Sequence, residues 1–490
     1  MLVLVNGKRR HTTALVNLLS NRGLGSVGTD LNTLPSLGVE RVEVLRDGAA
    51  AQYGSDAIAG VMNISLKNSN RDGSVLLNSG LTTAGDGLAT LLGVNKGFRL
   101  GQKGFLNLTA DADYRDRTSR GYARDARVSP VFVTSNPAAE QAALAKAGKT
   151  YSDFEQRNGD ARVRNLRGLL NARVELSDKL AFYGFGGYNF RRGQASTLWV
   201  LPATQAPDIV ESLFPYGYQP QVNTRIHDGA GTVGVVLGQT GPNHWTLDVS
   251  NTSGYNRMTY DLENTLNATL GAASPTTFGN AGGFQFLQNV TNATANRFFD
   301  QVLAGTNVAF GAEFRADRYE IMRGDERAEA EYDLGKPDSQ QGAQGFSGFG
   351  GASAVVGTRT NVGTFLDVEA DVTKNWSVSG ALRYENYSTF GSAFIYKATT
   401  RVQATKYLAL RGAFNTGFRA PSLQQSLYRQ ITQRPGVSGV VYAGIFNNQD
   451  EPAGAGRCAR PHARKVAQRK RRPGPDAHAR FFADGRCLSD

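Results

Sequence analysis

From about residue 70 onward the chain alternates apolar and polar positions with a period of two, in runs broken by Gly, Asn, Asp and Ser. The run 375–387 is the clearest. Trp376, Val378, Leu382 and Tyr384 share one face with Gly380, while Ser377, Ser379, Ala381, Arg383 and Glu385 occupy the other. Residues 105–115 set Leu106, Leu108, Ala110 and Ala112 against Asn107, Thr109, Asp111 and Asp113. Residues 166–176 oppose Leu166, Leu170, Val174 and Leu176 to Arg167, Asn171, Arg173 and Glu175, and 406–418 oppose Leu408, Leu410 and Phe414 to Arg411 and Asn415. With similar runs near 73–84, 87–98, 179–191, 225–238, 243–259, 303–322, 359–372 and 393–404, the pattern predicts roughly twelve strands.

One such strand also suits a soluble sandwich, so the connections decide. Residues 176–179 and 371–375 are tight turns, whereas 116–160, 192–224, 260–300 and 323–358 read as long polar loops rich in Gly, Asn, Gln and Thr. Short turns at one end and long loops at the other are the arrangement of an outer-membrane barrel. A soluble sandwich rarely carries four such loops.

Upstream the texture differs. Residues 40–67, ERVEVLRDGAAAQYGSDAIAGVMNISLK, hold two strand-like runs, 40–46 and 61–67, around a small-residue stretch entered at Asp47-Gly48. This segment closely resembles the end of the plug domain of TonB-dependent outer-membrane receptors. VLVNGKRRH from Val3 and GSVGTDLNTLP from Gly25 resemble the earlier plug, and GAFNTGFRAPSLQQ at 412–425 resembles a strand-and-turn segment of the same family's barrel. The resemblance implies an all-β membrane β-barrel, with about 12 of the family's 22 antiparallel strands, preceded by a small α+β plug fragment. The expected division is a partial plug at 1–69, the N-terminal part of the barrel at 70–446, and a basic tail at 447–490.

Composition changes this picture only at the tail. The net charge is +12, but residues 457–490 hold ten Lys or Arg against Asp476, Asp484 and Asp490, which leaves an ordinary +5 for the rest. Both cysteines, Cys458 and Cys487, lie there too, so the body of the chain is cysteine-free and carries no disulfide framework. The shift to Arg, Ala, Pro and His suits a tail read out of frame and disordered, with the chain beginning inside the plug and ending short of barrel closure. Cys458, His462, His478 and Cys487 match no familiar zinc spacing. The run Arg469 to Arg472 leaves a soluble nucleic-acid- or metal-binding protein as an alternative. Mean hydropathy is −0.35 and no run of about 18 apolar residues occurs, which excludes membrane-spanning helices only.

The candidate sites are few. Gly23, Gly25 and Gly28 spell GxGxxG, but Pro35 follows and no βαβ unit does, so a plug loop is the expectation rather than a nucleotide site. His11, His227, His244, His462 and His478 are scattered, and neither a catalytic nor a metal-binding constellation appears; no enzyme and no cofactor are expected. By the resemblance, Glu40, Arg41, Glu43, Arg46 and Asp47 seat the plug inside a polar lumen. Phe182, Tyr183, Phe185, Tyr188 and Phe190 crowd one strand and divide between an interfacial girdle and the lumen. Trp199, Phe214, Tyr216 and Tyr218, in a long outer loop, are the expected ligand contacts.

The resemblance thus implies an outer-membrane receptor that takes up a scarce solute. A ferric siderophore is the first expectation, with cobalamin or a carbohydrate next. Its partners would be that extracellular ligand, the inner-membrane TonB complex and outer-membrane lipid, with no nucleic acid. A small pore or a solute-binding protein formed by this chain alone is the second alternative. An open sheet leaves two edges of unpaired backbone groups in lipid, so the truncated chain is expected not to transport.

Overall fold

The computed structural model describes residues 1–18, 23–46, 50–121, 131, 136–201, 210–333, 342–436, 439–445 and 464–469. The plug is a four-stranded sheet of β1 (Leu2–Val5), β2 (Lys8–Arg9), β3 (Val39–Leu45) and β4 (Val61–Leu66), in the order β2-β1-β4-β3. β1 runs parallel to β4, and the other pairs are antiparallel. Short helical turns at Ala50–Tyr53 and Ser55–Ala57 connect β3 to β4.

The wall is an antiparallel meander. Its strands are β5 (Gly73–Gly80), β6 (Ala89–Leu100), β7 (Gly104–Arg115), β8 (Arg162–Ser177), β9 (Leu180–Ser196), β10 (Gln221–Leu237) and β11 (Thr246–Glu263). They continue through β12 (Thr277–Phe278), β13 (Gly283–Phe299), β14 (Thr306–Met322), β15 (Val355–Thr373), β16 (Trp376–Tyr387), β17 (Gly391–Gln403) and β18 (Ala409–Arg419). A hairpin of β19 (Gln430–Gly436) and β20 (Gly439–Ile445) stands apart, and β21 (Arg464–Arg469) pairs with β18. Fourteen strands form the path from β5 to β21, with the two-residue β12 added beside β11. No pairing joins β5 to β21 among the described residues.

The two faces of this sheet are inverted relative to a water-soluble one. On β6–β8 the buried side chains other than Leu169 are polar, Asn95, Asn107, Thr109, Asp111 and Asn171, while Leu92, Val94, Leu108, Leu166 and Leu170 are exposed. The same holds on β15 and β16, where Arg359, Asn361, Arg383 and Glu385 are buried and Val362, Leu366, Leu382 and Tyr384 are exposed. Only a non-aqueous exterior makes this arrangement favourable, because otherwise about 25 cal/mol per Å² of apolar surface is lost to water. Polar side chains turn inward because the plug offers them partners. Phe182, Tyr188 and Phe190 lie on the outer face of β9, and Tyr183 and Phe185 point inward, so the aromatic run does divide between the two faces.

One expectation needs correcting. Residues 260–300 are not one long loop, because 283–299 form the 17-residue strand β13 between β11 and β14. Its outer face carries Gln285, Asn289 and Thr291, and its inner face carries Phe284, Phe286 and Val290. Neither face has a uniform polarity, which hides the alternation. The wall strands also reach farther into the outer loops than expected, leaving 197–220 and 323–354 as the connections.

Candidate functional site

The residues with the densest chemistry lie between the plug and the inner face of the wall. The first contact comes from β2 and the loop after it. Arg10 and His11 both reach Asp228 of β10, His11 Nε2 lying 2.9 Å from one carboxylate oxygen. Asn256 Nδ2 donates to that same oxygen at 2.8 Å, and Arg10 also donates to Thr33 Oγ1 at 3.1 Å. The Ala14 amide donates to Asn256 Oδ1 at 2.8 Å, which ties the plug backbone to the same wall position. Asp228 is 3% exposed and accepts from three donors, so Nε2 must carry the imidazole proton. Burial pushes the His11 pKa down. Asp228 opposes that shift and the Arg10 charge reinforces it, so the ring is neutral near pH 7.

The second contact is centred on Asp56 in the Ser55–Ala57 turn. Arg9 donates to it at 2.6 Å, and Arg315 of β14 and Arg419 of β18 approach to 3.4 and 3.9 Å. Loss of water alone would raise this carboxyl, but Arg9, Arg315, Arg419 and Arg359 outweigh it and hold the group well below the usual carboxylate range. Ser55 Oγ meets the Tyr387 hydroxyl at 2.5 Å, and that hydroxyl also donates to Glu385 Oε2 at 2.8 Å. Behind them Arg359 pairs with Asp317 at 3.0 Å and Arg383 with Glu385 at 2.7 Å. Gly54 makes the close approach possible: its φ is +90°, and a Cβ there would lie 2.6 Å from Glu385 Oε1.

Further contacts spread along the plug. Lys8 bonds Asp248 at 2.9 Å, Arg191 bonds Asp30 at 2.7 Å, and Arg167 donates to the Asn32 carbonyl at 2.9 Å. From the outer side, the short helix Leu423–Leu427 sends Gln424 Nε2 to Thr12 Oγ1 and the Thr13 carbonyl, at 3.1 and 2.9 Å. Gln425 Nε2 donates to the Gly25 carbonyl at 2.7 Å. The glycine loop at 23–28 is therefore a wall contact, with no helix opening at its end.

Among the described residues, none of the plug residues expected to make the seat forms an ion pair with the wall. Glu40, Arg41, Glu43 and Arg46 are exposed; Arg41 Nε bonds Glu43 Oε1 at 2.7 Å, and Asn63 donates to Glu43 at 2.9 Å. Asp47 lies outside the described residues. β3 is the edge of the plug sheet opposite β2, so its charges face one another and solvent rather than the wall present here. Among the described residues the ionic contacts from plug to wall come from Lys8, Arg10, His11, Asp30 and Asp56. The parity of the wall strands offered a signal, because Arg383 and Glu385 sit on the polar face of β16. Their plug partners are distant in sequence and carried none.

The four loop aromatics hold the outer loops together. Val200 and Tyr218 form an isolated bridge, and the Phe214 and Tyr218 rings stand 4.6 Å apart. Trp199 packs on Phe154 at 5.4 Å and donates Nε1 to the Glu155 carbonyl at 3.1 Å. Lys149 lies over the Tyr216 ring at 5.7 Å. Tyr218 is buried, and Trp199, Phe214 and Tyr216 keep part of their surface open. Among the described residues no cluster of His, Cys, Asp and Glu could hold a metal ion.

Comparison with known proteins agrees with this architecture. A family model described as the TonB-dependent receptor plug domain matches residues 1–61, and one described as a TonB-dependent receptor-like β-barrel matches residues 164–451. The vitamin B12 transporter BtuB of Vibrio vulnificus is 22% identical over 413 residues, covering 83% of this chain and 51% of that relative. BtuB of Photobacterium profundum is 42% identical over 64 residues, 13% of this chain and 9% of the relative. Among solved structures, a mutant ferric enterobactin receptor PfeA of Pseudomonas aeruginosa superposes with TM-score 0.58 at 15% identity, over 90% of this chain and 58% of that one. The siderophore receptor PirA of Acinetobacter baumannii gives TM-score 0.55 at 18% identity, over 90% and 57%. These structures share the fold. The chain spans about half the length of the Vibrio vulnificus BtuB that it matches over most of its own length.

Proposed function

Since the chain belongs to the TonB-dependent receptor family of Gram-negative outer-membrane transporters, we propose that it forms the plug and the adjoining wall of a receptor importing a scarce external solute. A ferric siderophore is the first candidate, and cobalamin is the second. The siderophore receptors among the structural neighbours and the BtuB relatives favour these two over a carbohydrate. The observation that carries the reading is the set of buried ionic contacts between plug and wall. Such contacts hold a plug firmly at rest and are exchanged as units when it moves, because breaking one leaves an uncompensated buried charge. Energy for that movement would come from the inner-membrane TonB complex.

The open path of the sheet bears on what this chain does by itself. Among the described residues no strand pairs with the free edge of β5 or of β21, and backbone N–H and C=O groups left so in lipid would cost several kcal/mol each. The chain alone is therefore a receptor part without transport activity. The test combines two measurements on the purified chain in planar bilayers and detergent. Tryptophan quenching should report binding of a ferric siderophore or cyanocobalamin, while conductance steps should be absent. Discrete, reproducible conductance would overturn the receptor-part reading in favour of a small pore. Failure to bind any member of a panel of ferric siderophores and cobalamins would remove the assigned substrate classes.

A further inference from the structure

One stretch of the wall touches two separate parts of the plug. Residues 418–428 run from the end of β18 through the short helix Leu423–Leu427, and Phe418, Ala420, Leu423, Gln424 and Tyr428 are buried. Phe418 and Ala420 share an apolar cluster with Ala50 and Ala51 of the plug and with Tyr387 of β16. Leu423 and Tyr428 share another with Ala14, Val16 and Val27 of the plug. The side chains of Gln424 and Gln425 reinforce the second cluster by holding Thr12, Thr13 and Gly25. Along the chain β3 lies between the two plug segments that are gripped in this way.

The bridge is preorganised and tied at both ends. Ser422 Oγ accepts from the Gln425 amide at 3.2 Å while Gln425 Oε1 accepts from the Ser422 amide at 3.0 Å, so the helix start is capped reciprocally. Arg359 of β15 holds the turn before it, donating Nη1 to the Pro421 carbonyl at 2.6 Å. The same guanidinium donates to Asp317 at 3.0 Å and lies 5.4 Å from the centre of the Tyr387 ring. The Tyr387 hydroxyl meets Ser55, and Arg315 donates both to that hydroxyl, at 3.1 Å, and to Asp56, at 3.4 Å. Pro421 and the Ser55–Ala57 turn are therefore joined through Arg359 and Tyr387, both buried. Buried groups of this kind cannot replace a lost partner with water, so a shift at one forces its neighbours to pair again.

We propose that residues 418–428 form a strap through which plug residues 12–16 and plug residues 50–57 leave the wall as one unit, with Gln424 and Arg359 as the positioning residues. Withdrawal of Thr12 and Thr13 frees Gln424, loosens the Pro421 turn and leaves Arg359 to shift against Tyr387, which weakens the hold on Ser55 and Asp56. The coupling is reciprocal, because each contact changes the stability of the other by the same factor. Asp30 provides the contrast. It pairs with Arg191 of β9 and, among the described residues, shares no hydrogen-bond partner with Gln424, Arg359 or Tyr387. The strap goes beyond the proposed uptake and is independent of which solute is carried.

The experiment is amide hydrogen exchange of the full chain in detergent, read by mass spectrometry on peptides covering 12–16 and 50–57. Gln424→Ala should speed exchange at 50–57, which Gln424 does not contact, by about fivefold, the lower end of ordinary coupling between sites. Ser55→Ala should do the same at 12–16. The two changes together should give less than the product of their separate effects, because one release already frees both segments. Asp30→Asn, which breaks a plug contact away from the strap, should leave 50–57 at its original rate and combine multiplicatively with Gln424→Ala. Leu423→Ala withdraws the apolar anchor without stranding a polar group and should reproduce the Gln424→Ala pattern, which keeps the test decisive should that variant misfold. Acceleration confined to 12–16 in both strap variants would overturn the proposal. Equal acceleration of 50–57 by Asp30→Asn would overturn it too, by showing a general loosening of the plug.

Discussion

Asp228 is the residue on which most of the plug's first contact converges. It is buried and accepts from Arg10, His11 and Asn256. Asp228→Ala would strand Arg10 in a site without water, a loss of about 3–5 kcal/mol when one partner of a buried pair is removed. Denaturant unfolding followed through a probe on the plug should show it. His11 adds a pH dependence of known sign. Its folded pKa lies below the ordinary imidazole value, so the unfolded chain binds a proton first as pH falls below about 6.5. The stabilisation is complete above that value and declines as pH drops toward the folded pKa. Asp56, also depressed, extends the loss to lower pH, with its share present above the unfolded carboxyl value and lost only in strong acid. Plug susceptibility to protease between pH 7.5 and 5 should rise in the chain as it stands and stay flat in His11→Gln; a flat profile in both would refute the assignment. Gly54→Ala should be costly for two reasons, the positive φ and the collision with Glu385, together about 1–3 kcal/mol by the same unfolding measurement.

At the scale of the element, the wall strands are legible as period-two runs, and the structure assigns each face its environment. Leu170, near the middle of β8, is exposed on the outer face, whereas Leu169 is buried against the plug. Leu170→Arg should cost about 2–4 kcal/mol if it meets the bilayer midplane. The same change near the long-loop end, at Leu166, should cost less. Urea titration of the chain reconstituted in vesicles compares the two, and equal costs would argue against a lipid-facing surface. β13 shows the limit of such patterns. Its outer face carries Asn251-linked Asn289 and neighbouring Thr291, so polarity along the strand stops reporting which way a side chain points. The plug strand β3 shows the opposite limit. Its alternation is plain, yet Val42, Val44 and Leu45 are exposed beside Glu40 and Arg41, because strand pairing leaves β3 at the edge of its sheet.

For the molecule as a whole, closure is the controlling quantity. Among the described residues the wall runs from β5 to β21 without joining, and two edges left unpaired in lipid would cost tens of kcal/mol at several kcal/mol for each unsatisfied group. The chain alone should therefore float with vesicles poorly and form oligomers through its edges. Flotation followed by cross-linking checks this, and a discrete monomer inserted in the bilayer would contradict it.

The sequence by itself determined the family, the plug followed by an antiparallel wall, and the parity that sends Asn107, Asp111, Arg383 and Glu385 to one side. These rest on local periodicity and on a contiguous run of plug residues, and both are properties of neighbours along the chain. The tertiary structure decided which charges meet. Arg10 and His11 find Asp228, and Asp56 finds Arg315 and Arg419, across more than two hundred residues. It also packed Trp199, Phe214, Tyr216 and Tyr218 among the outer loops and left the charges of β3 exposed. Strand register and sheet order set those pairings, and neither is encoded in any one segment.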